Sequence, residues 1–420
     1  MKNINLMKIA KEVFPLNRSL TGSGTIKTLK FFKKINNQIM IKNVKSGQRV
    51  FDWKIPNEWN VNSAYFEDEK KNRYCDFKKN NLHLLGYSVK KKGVFSYNEL
   101  IKKIHFIKNK PNAIPYVTSY YKKDWGFCLS YRDFKKLNKK QKFFVNIDTK
   151  LKKGLMHYGE LTIKGKSKKQ ILIVSYVCHP SMANNELSGP LVALKLSKIL
   201  KKSKYTIKII FIPETIGAIY YIKKNLSELK KNLIAGINLS CVGDNKNFSY
   251  ISSVNENTYS DLIIKRVLKN QKFKKFSFEK RGSNERQFGC QNLNLPFVTL
   301  CRSRFGDYKE YHTSFDNLSI ISNKSLNGTV KILKKFVEEI QKNQIFVKDI
   351  FCEPFLFKYS LINNISKFEK FKNRDIKNIC AFTNKNIDTK ELKNKFKINK
   401  IKLNKMIKEL SRKKIIKELI

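Results

Sequence analysis

The stretch VCHPSMANNELSGP, residues 177–190, decides the fold. It follows the apolar run QILIVSYV (170–177) directly and precedes a helical pattern that begins near Pro190. A short apolar run bounded by turn-forming residues is typical of a buried strand. His179 and Glu186 are therefore predicted to lie on a strand-to-helix loop, at the end of the sheet where parallel α/β proteins bind ligands.

Strand-like and helix-like segments alternate downstream of residue 154. The apolar runs TIKIIFIP (206–213) and NLIAGINLSCVG (232–243) flank the helical pattern TIGAIYYIKKN (215–225), and one long amphipathic helix is predicted over 324–345. This alternation is typical of an α/β fold with a doubly wound, mainly parallel sheet.

Two further regions differ in pattern from this core. Residues 46–150 contain short β-like runs separated by Asn, Pro, Gly and Lys, which predicts an inserted, mostly β domain. Residues 348–420 have the order helix, turn, helix, turn, helix, strand of a winged helix-turn-helix. The α/β domain is then predicted to comprise residues 1–45 and 151–347. The aromatic residues of the inserted domain are expected to fill its core rather than line a carbohydrate groove.

The charge of the chain is strongly positive but dispersed. Lys and Arg number 87 against 33 Asp and Glu, which gives a formal net charge of +54. Because the lysines recur through every exposed stretch, we interpret them as solvated surface rather than as one nucleic-acid-binding face.

The chain is predicted to be soluble and cytoplasmic. No segment has the roughly 18 consecutive apolar residues of a membrane span, and Lys8 and Lys11 interrupt any apolar signal region at the N-terminus. The eight cysteines form no CxxC pair, which argues against a disulfide framework and against a thiolate zinc cluster.

A single zinc site is predicted from the strand-to-helix loop that carries His179 and Glu186 and from the turn-forming segment DYKEYHTSFDN (307–317) that carries His312. A zinc ion needs imidazole and carboxylate ligands with one position left for water, and His179, Glu186 and His312 could supply them. Asn185 and Asp244 compete with Glu186 as the third ligand.

The residues around this ion have predicted roles as well. Glu214, at the end of the next apolar run, is predicted to be the general base. Asp316, four residues after His312, is expected to orient that imidazole, and Asp244 is expected to lie beside the site.

Four charged residues are predicted to face the substrate, because guanidinium groups pair well with carboxylates and other anions. They are Arg281, Glu285 and Arg286 in KRGSNERQF and Arg302 in CRSRFGDY.

The order of these motifs resembles that of the co-catalytic zinc aminopeptidases, which have an HxD strand end, a DxxSG loop, an EExG strand end and a closing YHTxxDT. His179 corresponds to the first histidine, NNELSG (184–189) to the loop, ETIG (214–217) to the second strand end, and YHTSFDN (311–317) to the closing motif. The resemblance implies the general-base position for Glu214.

The sequence also departs from that family. Alignment on SerGly puts Asn185 rather than Glu186 at the metal-bridging acid, Thr215 replaces the second glutamate, and Ser240 replaces the later aspartate. One zinc ion is therefore expected rather than two.

The chain resembles still more closely a bacterial family of uncharacterised function, which combines an aminopeptidase-like domain with an inserted β module and a C-terminal winged helix and is linked to polysaccharide biosynthesis. FPLNRSLTG (14–22), GSNERQF (282–288) and the motifs above carry this resemblance. It implies a zinc-dependent hydrolase that cleaves an amide bond in a small aminoacyl or acylated-sugar substrate.

Two alternatives stay open. The chain could be a catalytically reduced, metal-binding scaffold, or it could bind nucleic acid through the winged helix. We expect the winged helix to contact a protein partner, and we expect neither a membrane nor a nucleic acid as a partner.

Overall fold

The computed structural model describes residues 4–361 and 373–419, so residues 362–372 and 420 of the predicted winged-helix domain lie outside the described part. The strands, in chain order, are β1 (Met40–Lys45), β2 (Arg49–Val50), β3 (Trp53–Lys54), β4 (Glu58–Asp68), β5 (Arg73–Asp76), β6 (Lys91–Ser96), β7 (Ile104–His105), β8 (Phe127–Cys128), β9 (Lys142–Lys152), β10 (Leu155–Ile163), β11 (Ser167–Tyr176), β12 (Tyr205–Ile212), β13 (Leu233–Leu239), β14 (Phe248–Ile251), β15 (Phe273–Phe276), β16 (Phe297–Cys301), β17 (Phe346–Lys348) and β18 (Ile416–Glu418).

The α-helices are α1 (Leu6–Val13), α2 (Ser23–Ile35), α3 (Tyr97–Leu100), α4 (Tyr131–Phe134), α5 (Ser188–Ile199), α6 (Ile216–Asn232), α7 (Tyr259–Leu268), α8 (Glu285–Phe288), α9 (Asn323–Lys342), α10 (Asn373–Phe382), α11 (Thr389–Phe396) and α12 (Lys400–Arg412). None of the helices in residues 4–361 and 373–419 combines the length and apolar character needed to cross a bilayer.

An eight-stranded sheet forms the centre of the molecule, in the order β1-β10-β12-β11-β13-β16-β14-β15. Strand β11 lies between β12 and β13 and is parallel to both, as β13 is to β16. The predicted α/β class with a large, mostly parallel sheet is confirmed. The strands β1 and β10 pair antiparallel with their neighbours, and β14 is antiparallel to β16 but parallel to β15, so the sheet is mixed.

Helices cover both faces of this sheet, because successive residues of a strand point to opposite sides. Ile171 and Ile173 of β11 lie in the core beneath α1, α5, α7 and α9. Leu172 and Val174 lie in the opposite core, beneath α6 and α8. The long amphipathic helix predicted over 324–345 is α9, which buries its apolar side against the first face.

The region from 46 to 150 contains a second sheet. Its four strands are all antiparallel, in the order β5-β4-β9-β6. Trp59 and Phe66 of β4 are buried in the apolar core of this region, as expected for aromatic residues there. Strand β9 leads directly into β10 and so joins this sheet to the central one.

The C-terminal segment has its own small core, formed by α10, α11 and α12. Its last strand, β18, pairs antiparallel with β17, which precedes the helices in the chain. Arg266 of α7 forms a bidentate ion pair with the fully buried Asp388, and thereby attaches this segment to the α/β layer.

A buried ion pair fixes the loop that follows β11. The Nε of Arg18 lies 2.9 Å from the Glu186 carboxylate, and both side chains are 0% exposed. The guanidinium also donates to the carbonyl of Val13 at the end of α1, and Glu186 accepts the backbone N–H of Cys178 at 2.9 Å. The N-terminal segment and the loop after β11 are therefore held to each other at this pair.

We expect Arg18→Met to lower the free energy of unfolding by about 3–5 kcal/mol, since removal of one partner leaves a buried carboxylate uncompensated. Urea unfolding measures this loss. The control is Arg412→Met, which breaks an exposed pair with Glu409 and should cost less than about 1 kcal/mol. A cost for Arg18→Met no larger than that of the control would contradict a structural role for the pair.

Candidate active site

Two predicted site residues meet at the carboxyl ends of neighbouring parallel strands. His179 lies just beyond β11 and Glu214 just beyond β12. Because these strands are paired in parallel, their ends lie side by side, and the Nε2 of His179 is 3.7 Å from the Glu214 carboxylate. The structure thus brings His179 and Glu214 together.

His312 reaches the same place from the loop between β16 and α9. Its ring centre lies 5.6 Å from that of His179, and the Tyr311 ring stacks on it at 3.9 Å. Its φ is +52°, in the left-handed region, which costs a non-glycine residue on the order of 1–3 kcal/mol. The backbone N–H of Tyr116 donates to the His312 carbonyl at 2.9 Å and helps to hold this conformation.

Burial sets the charge state of these three side chains. It raises the pKa of Glu214 to about 7, against the hydrogen bond that the Ser283 hydroxyl donates to the carboxylate at 2.7 Å. It lowers the pKa of His312 to about 4 and that of His179 well below its usual value. Both imidazoles are neutral at pH 7 and keep a lone pair for a cation, while Glu214 can both accept and release a proton.

Glu186 is not placed as the third metal ligand. Its carboxylate accepts hydrogen bonds from Arg18 and from the backbone of Cys178 instead of facing the imidazoles. Of the two competitors, Asp244 accepts from the amide of Asn184 at 2.7 Å, whereas Asn185 donates its amide to the Tyr176 hydroxyl at 3.2 Å and keeps its Oδ1 buried without a hydrogen-bond partner among the described residues. The sequence pattern could not reveal Arg18, which belongs to a distant segment.

The two imidazoles that remain as ligands would supply only part of the coordination of one zinc ion. Across residues 4–361 and 373–419, no three His, Cys, Asp or Glu side chains are arranged to hold a metal. The two imidazoles are at a separation that one zinc ion allows, given Zn–N bonds of about 2.0–2.1 Å. The Nε2 of His312 is buried and has no hydrogen-bond partner among the described residues, so this nitrogen is available to bind a cation.

Uncharged groups occupy the positions at which a second metal ion would need carboxylate ligands. The Tyr176 hydroxyl bonds to the carbonyl of Asn185 and lies 2.7 Å from the Ser240 hydroxyl. These uncharged groups supply no carboxylate to a second ion, so the site does not fit a two-zinc centre.

The predicted supporting acid Asp316 bonds to the loop after β11. Its carboxylate accepts the backbone N–H groups of Ala183 and Asn185, at 3.0 and 2.9 Å, and the Tyr308 hydroxyl at 2.7 Å. It therefore anchors this loop, and its role in orienting His312 stays a prediction.

The four predicted substrate-facing residues separate into one that lines the site and three that do not. Arg286 lines a cavity of about 260 Å³ together with His179 and Glu214. Arg281 is exposed and lies over the Phe278 ring, whereas Arg302 lies over the Phe248 ring and donates to the Lys246 carbonyl.

Glu285 is the third residue outside this cavity. It is 0% exposed and accepts the backbone N–H groups of Gly282 and Ser283 at 2.7 and 2.9 Å, together with the Thr299 hydroxyl at 2.8 Å. Its role is to hold the turn before α8.

Aromatic residues of the 46–150 region complete the cavity. Trp53, Tyr120 and Tyr121 line it, and Tyr121 is 55% exposed. Tyr116 lies behind them, with its ring centre 5.2 Å from that of His179 and its hydroxyl 2.7 Å from that of Tyr120. Trp53 and Tyr120 also pack against the core of this region, as expected, so these aromatic residues serve both the core and the cavity. The aromatic-rich run YVTSYYKKDW (116–125) contains two of the three that line the cavity.

Comparison with known proteins places the fold. Residues 7–343 match the family described as "Domain of unknown function (DUF4910)". A protein from Clostridium acetobutylicum, named "Putative polysaccharide biosynthesis protein with aminopeptidase-like domain", is 37% identical over 365 residues, which are 86% of this chain and 83% of that protein.

Solved structures agree with this match. The crystal structure of a "putative peptidase" from Clostridium acetobutylicum superposes with a TM-score of 0.80 at 32% identity, covering 99% of this chain and 96% of that one. A zinc aminopeptidase from Bacillus subtilis has the same fold at 11% identity, with a TM-score of 0.59 over 80% of this chain and 93% of its own. The chain belongs to the DUF4910 family and has an aminopeptidase-like fold.

Proposed function

We propose that the chain is a hydrolase of the aminopeptidase-like type that cleaves an amide bond in a small aminoacyl or N-acyl substrate. The observation that carries this proposal is that His179 and Glu214 face one cavity at the carboxyl ends of neighbouring strands, with the His312 ring 5.6 Å from that of His179. Two neutral imidazoles beside one carboxylate are the components of a water-activating site.

Glu214 is the proposed general base. Burial raises its pKa to about 7, so the carboxylate can take a proton from an attacking water and return it to the leaving amine. The Ser283 hydroxyl bonds one carboxylate oxygen and leaves the other facing His179. Tyr120 lines the cavity, and the buried Tyr116 ring behind it packs 5.2 Å from the His179 ring, which limits access of bulk water from that side.

His179 and His312 are the proposed ligands of one zinc ion, and the Glu214 carboxylate lies 3.7 Å from the Nε2 of His179. A zinc ion bound there would lower the pKa of its water and polarise the substrate carbonyl. Glu186 is left out of this ligand set because its carboxylate is paired with Arg18.

The setting of the reaction is part of the proposal. The name of the Clostridium acetobutylicum relative mentions polysaccharide biosynthesis, and on that ground we propose an N-acylated, sugar-linked substrate. We propose further that the region from 46 to 150 is an inserted domain and that the C-terminal helices form a winged helix that contacts a protein partner. All eight cysteines are unpaired, which favours a reducing compartment such as the cytoplasm.

A binding or scaffold protein is the second candidate. The neutral Tyr176, Asn185 and Ser240 in place of metal-binding acids favour it. Such a protein would keep the cavity and its ligand but turn nothing over, so the two measurements below separate the candidates.

We expect the purified protein to hold about one zinc ion per chain, and His179→Ala or His312→Ala to remove it, because each variant leaves a single imidazole. Metal analysis after dialysis against a weak chelator measures the stoichiometry. His157→Ala, on strand β10 outside the cavity, is the matched control and should retain the ion. Zinc retained in both site variants would exclude these ligands.

We expect Glu214→Gln to lower kcat/KM for an aminoacyl or N-acyl amide at least about 100-fold, since the amide keeps the shape of the side chain but cannot accept the proton. Steady-state kinetics on a panel of such amides measures the loss. Glu279→Gln changes an exposed glutamate near the site and should leave the rate unchanged. If Glu214→Gln stays folded and hydrolyses the substrates at the original rate, the general-base role is wrong.

A further inference from the structure

Arg286 is the cation of the proposed active site for which the proposed reaction has no use. It belongs to the short helix α8 and lines the cavity beside Glu214. Its guanidinium donates to the Thr215 hydroxyl, and its Nε is buried without a hydrogen-bond partner among the described residues. No carboxylate in residues 4–361 and 373–419 lies within ion-pair distance of it.

The backbone that presents Thr215 to Arg286 is strained. Thr215 has a φ of +62°, an uncommon value for a β-branched residue, and its N–H donates to the side chain of Asn284 at 3.0 Å. Strain of this kind persists where the surrounding structure imposes it, which points to a functional position. The strained backbone at Thr215 and the loop that precedes α8 thus hold the Arg286 guanidinium at the cavity wall.

The charges of the cavity do not suit a substrate with a free ammonium group. Of the described residues that line it, Glu214 is the only acid, and the Ser283 hydroxyl already bonds its carboxylate. The nearby acids Glu186 and Glu285 are buried in other hydrogen bonds. An ammonium group here would face Arg286 and have no acid except the proposed general base, so its desolvation would be poorly offset.

The side of the cavity formed by Arg286 is suited to bind a carboxylate. A guanidinium presents a planar fork of donors that matches a carboxylate, and an unpaired buried donor is stabilised by accepting such a partner. The other walls are Leu20, Ile216, Trp53 and Tyr121, which supply apolar and aromatic surface for the rest of a small molecule.

We infer that the cavity binds N-acyl compounds that carry a carboxylate, held by Arg286, rather than compounds with a free α-amino group. The identity of the bond cleaved rests on the proposed function, but the binding preference does not. An N-acyl amino acid and an N-acylated sugar acid share this chemistry. Arg286 would then be a substrate-binding residue that selects the anion.

Equilibrium binding, measured by calorimetry on the full-length protein, tests this inference without turnover. The amino-acid arm compares N-acetylalanine with N-acetylalaninamide, which lacks the carboxylate, and with alaninamide, which has a free amine. The sugar arm compares N-acetylmuramic acid with N-acetylglucosamine. In at least one arm, we expect the acid to bind about tenfold or more tightly than its neutral counterpart, as one charged hydrogen-bonded contact provides.

Substitutions test whether Arg286 is the residue that contacts the ligand carboxylate. Arg286→Gln should remove the preference for the acid, and Arg286→Lys should restore part of it, because a lysine keeps the charge but lacks the fork. Arg281→Gln is the matched control, since its guanidinium is exposed over Phe278 outside the cavity. Circular dichroism of each variant confirms that it is folded.

Three results would overturn the inference: tighter binding of alaninamide, equal binding of acid and neutral ligand in both arms, or a preference for the acid that survives Arg286→Gln. Tighter binding of inorganic phosphate than of either acid would also overturn the choice of a carboxylate. None of these results bears on hydrolysis itself, and failure of the Glu214→Gln experiment would leave the binding result intact. The two proposals therefore fail separately.

Discussion

The buried pair of Arg18 and Glu186 is the constraint on which the site depends. Two charges are withdrawn from water, and the hydrogen bonds to the Val13 carbonyl and from the Cys178 N–H offset part of that cost, while the Nη2 of Arg18 has no partner among the described residues. The backbone N–H of Cys178 donates to Glu186, and Cys178 immediately precedes His179. The ion pair therefore helps to fix the position of the His179 imidazole. The N-terminal helix, the central strand and the loop after it are in this way connected through one carboxylate.

The sequence allowed the fold and the positions of the main side chains to be predicted, because both depend on local pattern. Alternating strands and helices predict a sheet with its strand ends at one edge, and His179 and Glu214 follow directly from that rule. His312 required the resemblance to a known family, since nothing near it in the chain indicates a strand end.

The partners of charged groups could not be predicted in the same way. A motif gives the spacing of Glu186 or Asp316 from a histidine, but the hydrogen bonds of a carboxylate depend on segments that approach it from elsewhere in the chain. Glu186 pairs with Arg18, and Asp316 accepts hydrogen bonds from the backbone of residues 183–185. For the same reason, the exposed Arg281 and the packed Arg302 could not be told apart from Arg286.

The contact between Tyr116 and His312 has a consequence for how the protein is assembled. The carbonyl of His312 is held by a segment that is synthesised much earlier and lies between β7 and β8, and Pro115 forms a bridge to the neighbouring Thr313. Contacts between such distant segments form slowly, because loop closure must precede them. The position of His312 is therefore expected to be fixed late in folding, after the more local pairings of the central sheet have formed.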